Sequence, residues 1–191
     1  MKTRYLVGRR ITLGLLSAKT DLSRYANWVN DQETTHFMEV GRFPVSIQDL
    51  QRYIRSYARD KNGMLLGIYL NGDKKHIGNI TLHGIQWKDR FGEIGILIGD
   101  KMARGKGYAT EAIRLLVAHA FDRLNLHKLY CGMIEGNEAS RQAFLRNGFK
   151  EEGVLRKHFF ANGSYRDCYR MGLLVDEYAR SRLPNPSRGT R

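Results

Sequence analysis

Apolar positions along the 191-residue chain change period several times, and each change marks an element. Residues 10–16 predict an opening strand. Leu22, Tyr25, Ala26 and Val29 then fall at helical spacing within 17–31, behind a Thr20/Asp21 cap signal. A second helix is predicted from Ser46, where Ser46 and Asp49 form a capping-box pattern ahead of Leu50, Tyr53, Ile54 and Tyr57. The period then drops to two. Strands over 65–70 and 76–82 flank the turn Asn71-Gly72-Asp73, and a third strand over 91–98 completes an antiparallel meander. Residues 107–124 return to helical spacing, with Ala109, Ala112, Ile113, Leu116, Val117, Ala120, Phe121 and Leu124 on one stripe. A strand over 128–134, a helix over 138–147 stopped by Gly148, and strands over 153–160 and 165–175 joined through Asn162-Gly163 follow. This order predicts an α+β domain built on a mixed sheet.

A hydrophobic content of 42% and this length suit one domain, expected to span 1–182, with 183–191 as a flexible basic tail. Lys2, Arg4, Arg9 and Arg10 precede the apolar stretch 11–16, but that stretch is too short for the core of a signal peptide. The later apolar run 115–121 is broken by His119 and is too short to cross a bilayer, so a soluble protein with no membrane partner is expected. Cys131 and Cys168 stand apart with no metal-ligand spacing, which argues against a disulfide framework or a bound metal and fits a reducing cytoplasm. The 32 Lys and Arg against 19 Asp and Glu give a net charge of +13, which points to an anionic partner: nucleic acid, a membrane surface or a phosphorylated cofactor.

The third strand of the meander runs into a loop, Arg104-Gly-Lys-Gly107, and then a helix opening Tyr108-Ala-Thr110. Glycines at Gly105 and Gly107 let successive backbone N–H groups converge, and the helix start adds partial positive charge, so this turn can hold a pyrophosphate reinforced by Arg104 and Lys106. A tight turn with no ligand is the competing reading of the same glycines. The loop lacks Gly-Lys-Ser/Thr and follows an antiparallel meander, which sets aside nucleotide hydrolysis and dinucleotide binding.

Arg104-x-x-Gly107-x-Ala109 resembles the loop of the GNAT superfamily of acetyl-CoA-dependent N-acyltransferases. Arg10-Ile-Thr-Leu, Trp28-Val-Asn-Asp31, Glu93-Ile-Gly95 and Gly107-Tyr-Ala-Thr-Glu-Ala112 are similar to the branch of ribosomal-protein alanine acetyltransferases. Leu126-His-Lys-Leu-Tyr130, Asn137-x-x-Ser140 and Asn147-Gly-Phe149 continue that pattern. Phe159-Phe-x-Asn-Gly-x-Tyr165-x-Asp167 and Arg170-Met171 are similar to the spermidine (polyamine) acetyltransferase branch.

The resemblance implies a mostly antiparallel sheet in which strands 91–98 and 128–134 splay apart around the pantetheine arm of acetyl-CoA. Backbone groups near Leu97 and Ile98 would pair with that arm, and the amides of Arg104, Gly105, Lys106, Gly107, Tyr108, Ala109 and Thr110 would hold the pyrophosphate. Asn137 and Ser140 would position the arm, with a helix cap as the alternative for Asn137. A backbone N–H near Ile98 is the implied oxyanion donor. Glu93 is the candidate base through water, against an alternative as a strand glutamate that faces solvent or pairs with a nearby arginine; His83 competes for that role. The family's tyrosine acid, seven residues beyond the asparagine, is Phe144 here and has no proton to give, which leaves Ser140 as the nearest substitute.

Trp28, Phe37, Met38 and Arg42, with His36, are expected at the acceptor site, which would take a primary amine on a protein N-terminus or on a small molecule such as a nucleotide-linked amino sugar. The +13 charge argues against a polycationic acceptor, although the polyamine branch is the alternative. A non-catalytic RNA- or ribosome-binding module is the reading from a different class, resting on Arg52, Arg55, Arg59, Lys61, Arg180, Arg182, Arg188 and Arg191. Without an RNA-recognition motif beside those cations, no direct nucleic-acid partner is expected. A homodimer is the expectation for a soluble enzyme.

Overall fold

The computed structural model describes residues 4–16, 22–161 and 163–182. Eight strands form one sheet: β1 (Arg4–Val7), β2 (Ile11–Leu15), β3 (Met64–Leu70), β4 (His76–Gln86), β5 (Phe91–Ile98), β6 (Lys128–Ile134), β7 (Lys150–Ala161) and β8 (Ser164–Leu174), in the order β1-β2-β3-β4-β5-β6-β8-β7. Every neighbouring pair is antiparallel except β5 and β6. The helices are α1 (Ser23–Asn30), α2 (Gln32–Thr35), α3 (Ile47–Arg59), α4 (Tyr108–Asp122), α5 (Glu138–Leu145) and α6 (Val175–Arg182). No helix among the described residues is long and apolar enough to cross a membrane.

Strand alternation divides the interior in two. On one face Leu66, Ile68, Ile80, Ile94 and Leu129 meet the stripe of Ala112, Ile113, Leu116 and Ala120 from α4, each fully or almost fully buried. On the other, Leu65 and Leu97 join Tyr25 and Val29 of α1 and Leu50 and Ile54 of α3. Each large aliphatic side chain removed from water contributes about 1.5–3 kcal/mol, so both faces hold the sheet.

Local chemistry sets the helix starts. At α3 the Ser46 hydroxyl accepts from the Asp49 N–H at 3.1 Å while the Asp49 carboxylate accepts from the Ser46 N–H at 2.9 Å. The Ser46 hydroxyl, followed by its amide and Arg52, holds that carboxyl down to about 2. Gly148 ends α5 region in the left-handed conformation, φ +85°.

The predicted elements are present with shifted ends, and four features escaped the sequence pattern. β1 is a four-residue edge strand, α2 is a single turn, a 3-10 turn spans Lys101–Ala103, and residues 175–182 form α6 rather than prolonging the last strand. The acidic pair Asp176 and Glu177 in the first turn of α6, with Glu177 accepting the Leu174 N–H at 3.0 Å, is the physical reason for that last change. β4 runs on to Gln86 through an irregularity after His83, and β7 begins at Lys150. The Thr20/Asp21 cap, Asn162 and the tail 183–191 lie outside the described residues, and α1 is observed from Ser23.

Close approach of β4 and β5 is built into Gly78: a Cβ there would stand 2.1 Å from the Leu97 carbonyl oxygen. Gly78→Ala should therefore lower stability by about 1–3 kcal/mol. Gly72→Ala, whose Cβ would meet nothing within 4 Å, should stay within about 0.5 kcal/mol in the same urea unfolding experiment. Equal stability of the two variants would contradict the packing at this strand pair.

Candidate active site

Parallel pairing between β5 and β6 covers only Phe91↔Lys128, Gly92↔Leu129 and Glu93↔Tyr130. Beyond that point β5 stays in register with β4 as far as Ile98↔Gly78, and β6 stays in register with β8 as far as Ile134↔Cys168. The two strands separate because each follows its outer neighbour, and a cavity of about 580 Å³ opens between them. Its walls include Ile94, Ile96 and Leu97 of β5, Gly132 to Ile134 of β6, and Asn137, Ser140 and Phe144 of α5.

Alternation of the backbone decides which groups face the opening. The Gly95 carbonyl accepts from Thr81 Oγ1 of β4 at 3.3 Å, and the Leu97 carbonyl crowds Gly78 of β4, so both residues direct their backbone to that strand. Ile96 and Ile98 therefore face the fork. The Ile98 carbonyl is already taken, accepting from Arg104 Nε at 3.1 Å, which leaves its N–H. The sequence pattern points to Leu97 and Ile98; the β4–β5 ladder turns the Leu97 backbone toward β4 and leaves that of Ile96 beside Ile98 on the fork side.

At the vertex of the fork stands Glu93. Its Oε1 lies 3.4 Å from Arg170 Nη1 and its Oε2 lies 3.5 Å from His83 Nε2. Burial pushes the Glu93 carboxyl up, but the hydrogen bond to His83, the charge of Arg170 and lesser contributions including Tyr130 outweigh it and hold the group below its ordinary range. Arg170 also sits 4.8 Å over the Tyr130 ring. His83 places its other ring nitrogen 3.3 Å from Thr81 Oγ1. Glu93 is thus a paired carboxylate on the cavity wall rather than a solvated one. Arg170 went unassigned at the sequence level because a separation of 77 residues carries no spacing signal.

The loop after β5 is held from two sides. Gly105 and Gly107 take φ of +72° and +77°, open to glycine at little cost. Arg10, at the entrance to β2, donates from Nη1 to the Lys106 carbonyl at 2.8 Å and from Nε to Glu111 at 2.9 Å. Arg104 turns away from the loop: Nη2 donates to Thr34 Oγ1 at 2.9 Å and Nη1 lies 3.5 Å from Glu33. Its guanidinium anchors the loop to α2, so Lys106 is the loop cation left facing outward. No side chain caps α4. The N–H groups of Tyr108, Ala109 and Thr110 belong to its first turn, where helix geometry provides no partner. A turn with these amides and no Cβ at two positions fits a pyrophosphate.

Asn137 Oδ1 accepts from the Ser140 N–H at 3.3 Å, so Asn137 caps α5 while lining the cavity. Phe144 packs edge-to-face on Phe149 with ring centres 5.0 Å apart, so it is a core aromatic whose edge reaches the cavity. Phe37 and Met38 line the cavity, with Tyr25, Tyr53, Glu39 and Phe159. Trp28 and Arg42 do not. The Trp28 ring covers Gly99, where a Cβ would come within 2.0 Å of it, and Arg42 lies in an exposed turn. His36 packs against Phe37, ring centres 4.5 Å apart, outside the cavity lining. The two thiols are buried and free; burial, first among the causes, pushes both above their ordinary range.

This fork, with a glycine turn beyond it, has close counterparts among known proteins. The acetyltransferase (GNAT) domain family matches residues 10–150. The putative ribosomal N-acetyltransferase YdaF of Bacillus subtilis is 34% identical over 179 residues, 90% of this chain and 95% of that protein. The spermidine N(1)-acetyltransferase of Vibrio cholerae is 32% identical over 133 residues, 70% of this chain and 76% of that protein. Among solved structures, the Vibrio cholerae spermidine N-acetyltransferase in complex with CoA and spermine has a TM-score of 0.80 at 29% identity, covering 89% of this chain and 98% of that one. Carried by a match of this extent and by the fork between β5 and β6, the chain belongs to the GNAT family and is an N-acetyltransferase.

Proposed function

We propose that the chain transfers the acetyl group of acetyl-CoA to a primary amine by direct attack, and the observation that carries this is the fork between β5 and β6, where Glu93 stands at the vertex and Ile96 lines the cavity that opens beyond it. Acetyl-CoA supplies the acetyl group as an activated thioester. The N–H and carbonyl of Ile96 bind its pantetheine arm as an added strand would, and the amides of Gly105 to Thr110, with Lys106, bind the pyrophosphate. Ile98 N–H donates to the carbonyl oxygen on which charge develops. Glu93, ionised at neutral pH, accepts the amine proton through a water as the C–N bond forms and the C–S bond breaks. His83 orients Glu93 from one side and Arg170 from the other. Ser140, whose side chain carries a hydroxyl on the cavity wall, returns a proton to the departing sulfur in this reading.

For the acceptor we favour an amine on a protein N-terminus or on a small molecule such as a nucleotide-linked amino sugar. A polyamine is a second reading with its own support. The cavity wall carries Glu39, Asp49 and Glu93 against Arg170, so the field inside is not the field of the whole chain. That removes the reason for setting a polycation aside, which rested on net charge. Asp49 and Glu93 are occupied by Ser46, Arg52, His83 and Arg170, which leaves Glu39 to meet an added cation. The thiols are consistent with a reducing cytoplasm. The family assignment replaces the reading as a non-catalytic RNA-binding module; Arg52, Arg55 and Arg59 form the solvated face of α3.

Thiol release from acetyl-CoA with peptides bearing different N-termini, a nucleotide-linked amino sugar and spermidine ranks the acceptors. Turnover of a peptide or amino sugar above spermidine is expected, and turnover of spermidine alone would select the second reading. Glu93→Gln should lower kcat about 100-fold with acetyl-CoA affinity unchanged. A carboxyl held below its ordinary ~4.3 stays ionised as pH falls, so Glu93 itself should add no acid limb to kcat between about pH 5 and 8. A kcat within about threefold of wild type in Glu93→Gln would remove the carboxylate from the reaction. Gly107→Asp places a strained, negative residue in the turn and should weaken acetyl-CoA binding at least about tenfold by calorimetry. Normal affinity there would end the pyrophosphate assignment.

A further inference from the structure

Beyond the glycine turn lies a second groove of about 400 Å³, lined by Arg9 and Arg10 from the β1–β2 turn, Gly107 of the glycine turn, Thr110, Glu111 and Arg114 from α4, and Arg146 at the end of α5. Four arginines meet one carboxylate there. Both oxygens of Glu111 are taken by Arg10, one by its N–H at 2.8 Å and one by its Nε at 2.9 Å. Arg9, Arg114 and Arg146 are exposed, and among the described residues none of them is paired with a carboxylate.

Three free guanidinium groups repel one another, yet the fold holds their backbones together. Arg114 lies one helical turn beyond Thr110 and shares its face of α4. Asn147 donates to the Thr110 carbonyl at 3.1 Å and to the Ala143 carbonyl at 2.8 Å, which sets Arg146 against the start of α4. Gly8, whose Cβ would stand 2.7 Å from Glu111 Oε1, lets the β1–β2 turn approach and delivers Arg9.

We infer that this groove binds the phosphate monoester on the ribose of the cofactor's nucleotide, so that the protein distinguishes acetyl-CoA from acetyl-dephospho-CoA. The inference rests on the acetyl-CoA reading above. The groove shares Gly107 and Thr110 with the pyrophosphate turn, so a nucleotide leaving that turn enters it directly. Arg104, the loop arginine, is committed to Ile98, Thr34 and Glu33 and cannot serve a further phosphate. Guanidinium forks suit a dianionic monoester, which offers more acceptor oxygens and charge than the bridging diphosphate.

Calorimetric titration of the full chain with acetyl-CoA and with acetyl-dephospho-CoA, in wild type and in Arg114→Ala/Arg146→Ala, tests it. Wild type should prefer acetyl-CoA by at least about tenfold, and the double variant should bring the two within about twofold by weakening acetyl-CoA alone. Binding of acetyl-dephospho-CoA reports that the variant is folded and its turn intact. A preserved preference, or an equal loss for both ligands, would overturn the assignment of these arginines to the monoester. So would an intact preference joined to lost binding of a single-stranded RNA oligonucleotide, which would give the groove to nucleic acid. Failure of both ligands to bind wild type would instead remove the acetyl-CoA reading beneath it.

Discussion

The interaction on which the rest depends is a strand pairing that stops. β5 and β6 share three residue pairs and then part, although each goes on as a strand. Backbone groups on two facing edges are left without ladder partners, a cost that a sheet ordinarily avoids. It persists because the outer pairings are stronger commitments: β6 is matched to β8 along its whole length, and β5 is held to β4 through the close contact at Gly78. A wedge of unsatisfied backbone next to a paired carboxylate is a ready site for a ligand that brings its own amides.

Loop anchorage follows from the same geometry. β5 ends beyond the split at Ile98, and a short 3-10 turn and the glycine turn carry the chain into α4. Arg104 reaches back to the last carbonyl of β5 and across to α2, while Arg10 reaches in from β2 to the Lys106 carbonyl and Glu111. The two arginines fix the turn from opposite sides, so its amides are pointed before any ligand arrives. A site organised in this way loses little conformational freedom on binding.

Much of this was legible in the residues, and the misses share a cause. The stripe of α4, the capping box at Ser46 and the turn glycines are local patterns, and each appears where the spacing puts it. Trp28 reads as an acceptor-site aromatic but lies over Gly99, and Arg104 reads as a phosphate ligand but is spent on anchorage, because both outcomes turn on partners far along the chain. The same holds for Arg170, invisible as the partner of Glu93 until β8 lies beside β6. Ile96 replaces Leu97 in the backbone set through the phase of the β4–β5 ladder, which periodicity alone does not reveal. α6 was missed for a plainer reason, since Val175 prolongs an apolar strand pattern that the acidic pair behind it converts to a helix.

Net charge has likewise become a local matter. The excess of +13 is unevenly spread: four arginines face one carboxylate in the groove beyond the glycine turn, whereas the wall of the fork cavity carries Glu39, Asp49 and Glu93 against Arg170. Residue-resolved hydrogen exchange with and without saturating acetyl-CoA tests the fork most directly. The amides of Ile96 and Ile98 and those of Gly105 to Thr110 should slow together when the ligand is added. Saturated binding with those amides unchanged would contradict the fork as the acetyl-CoA site.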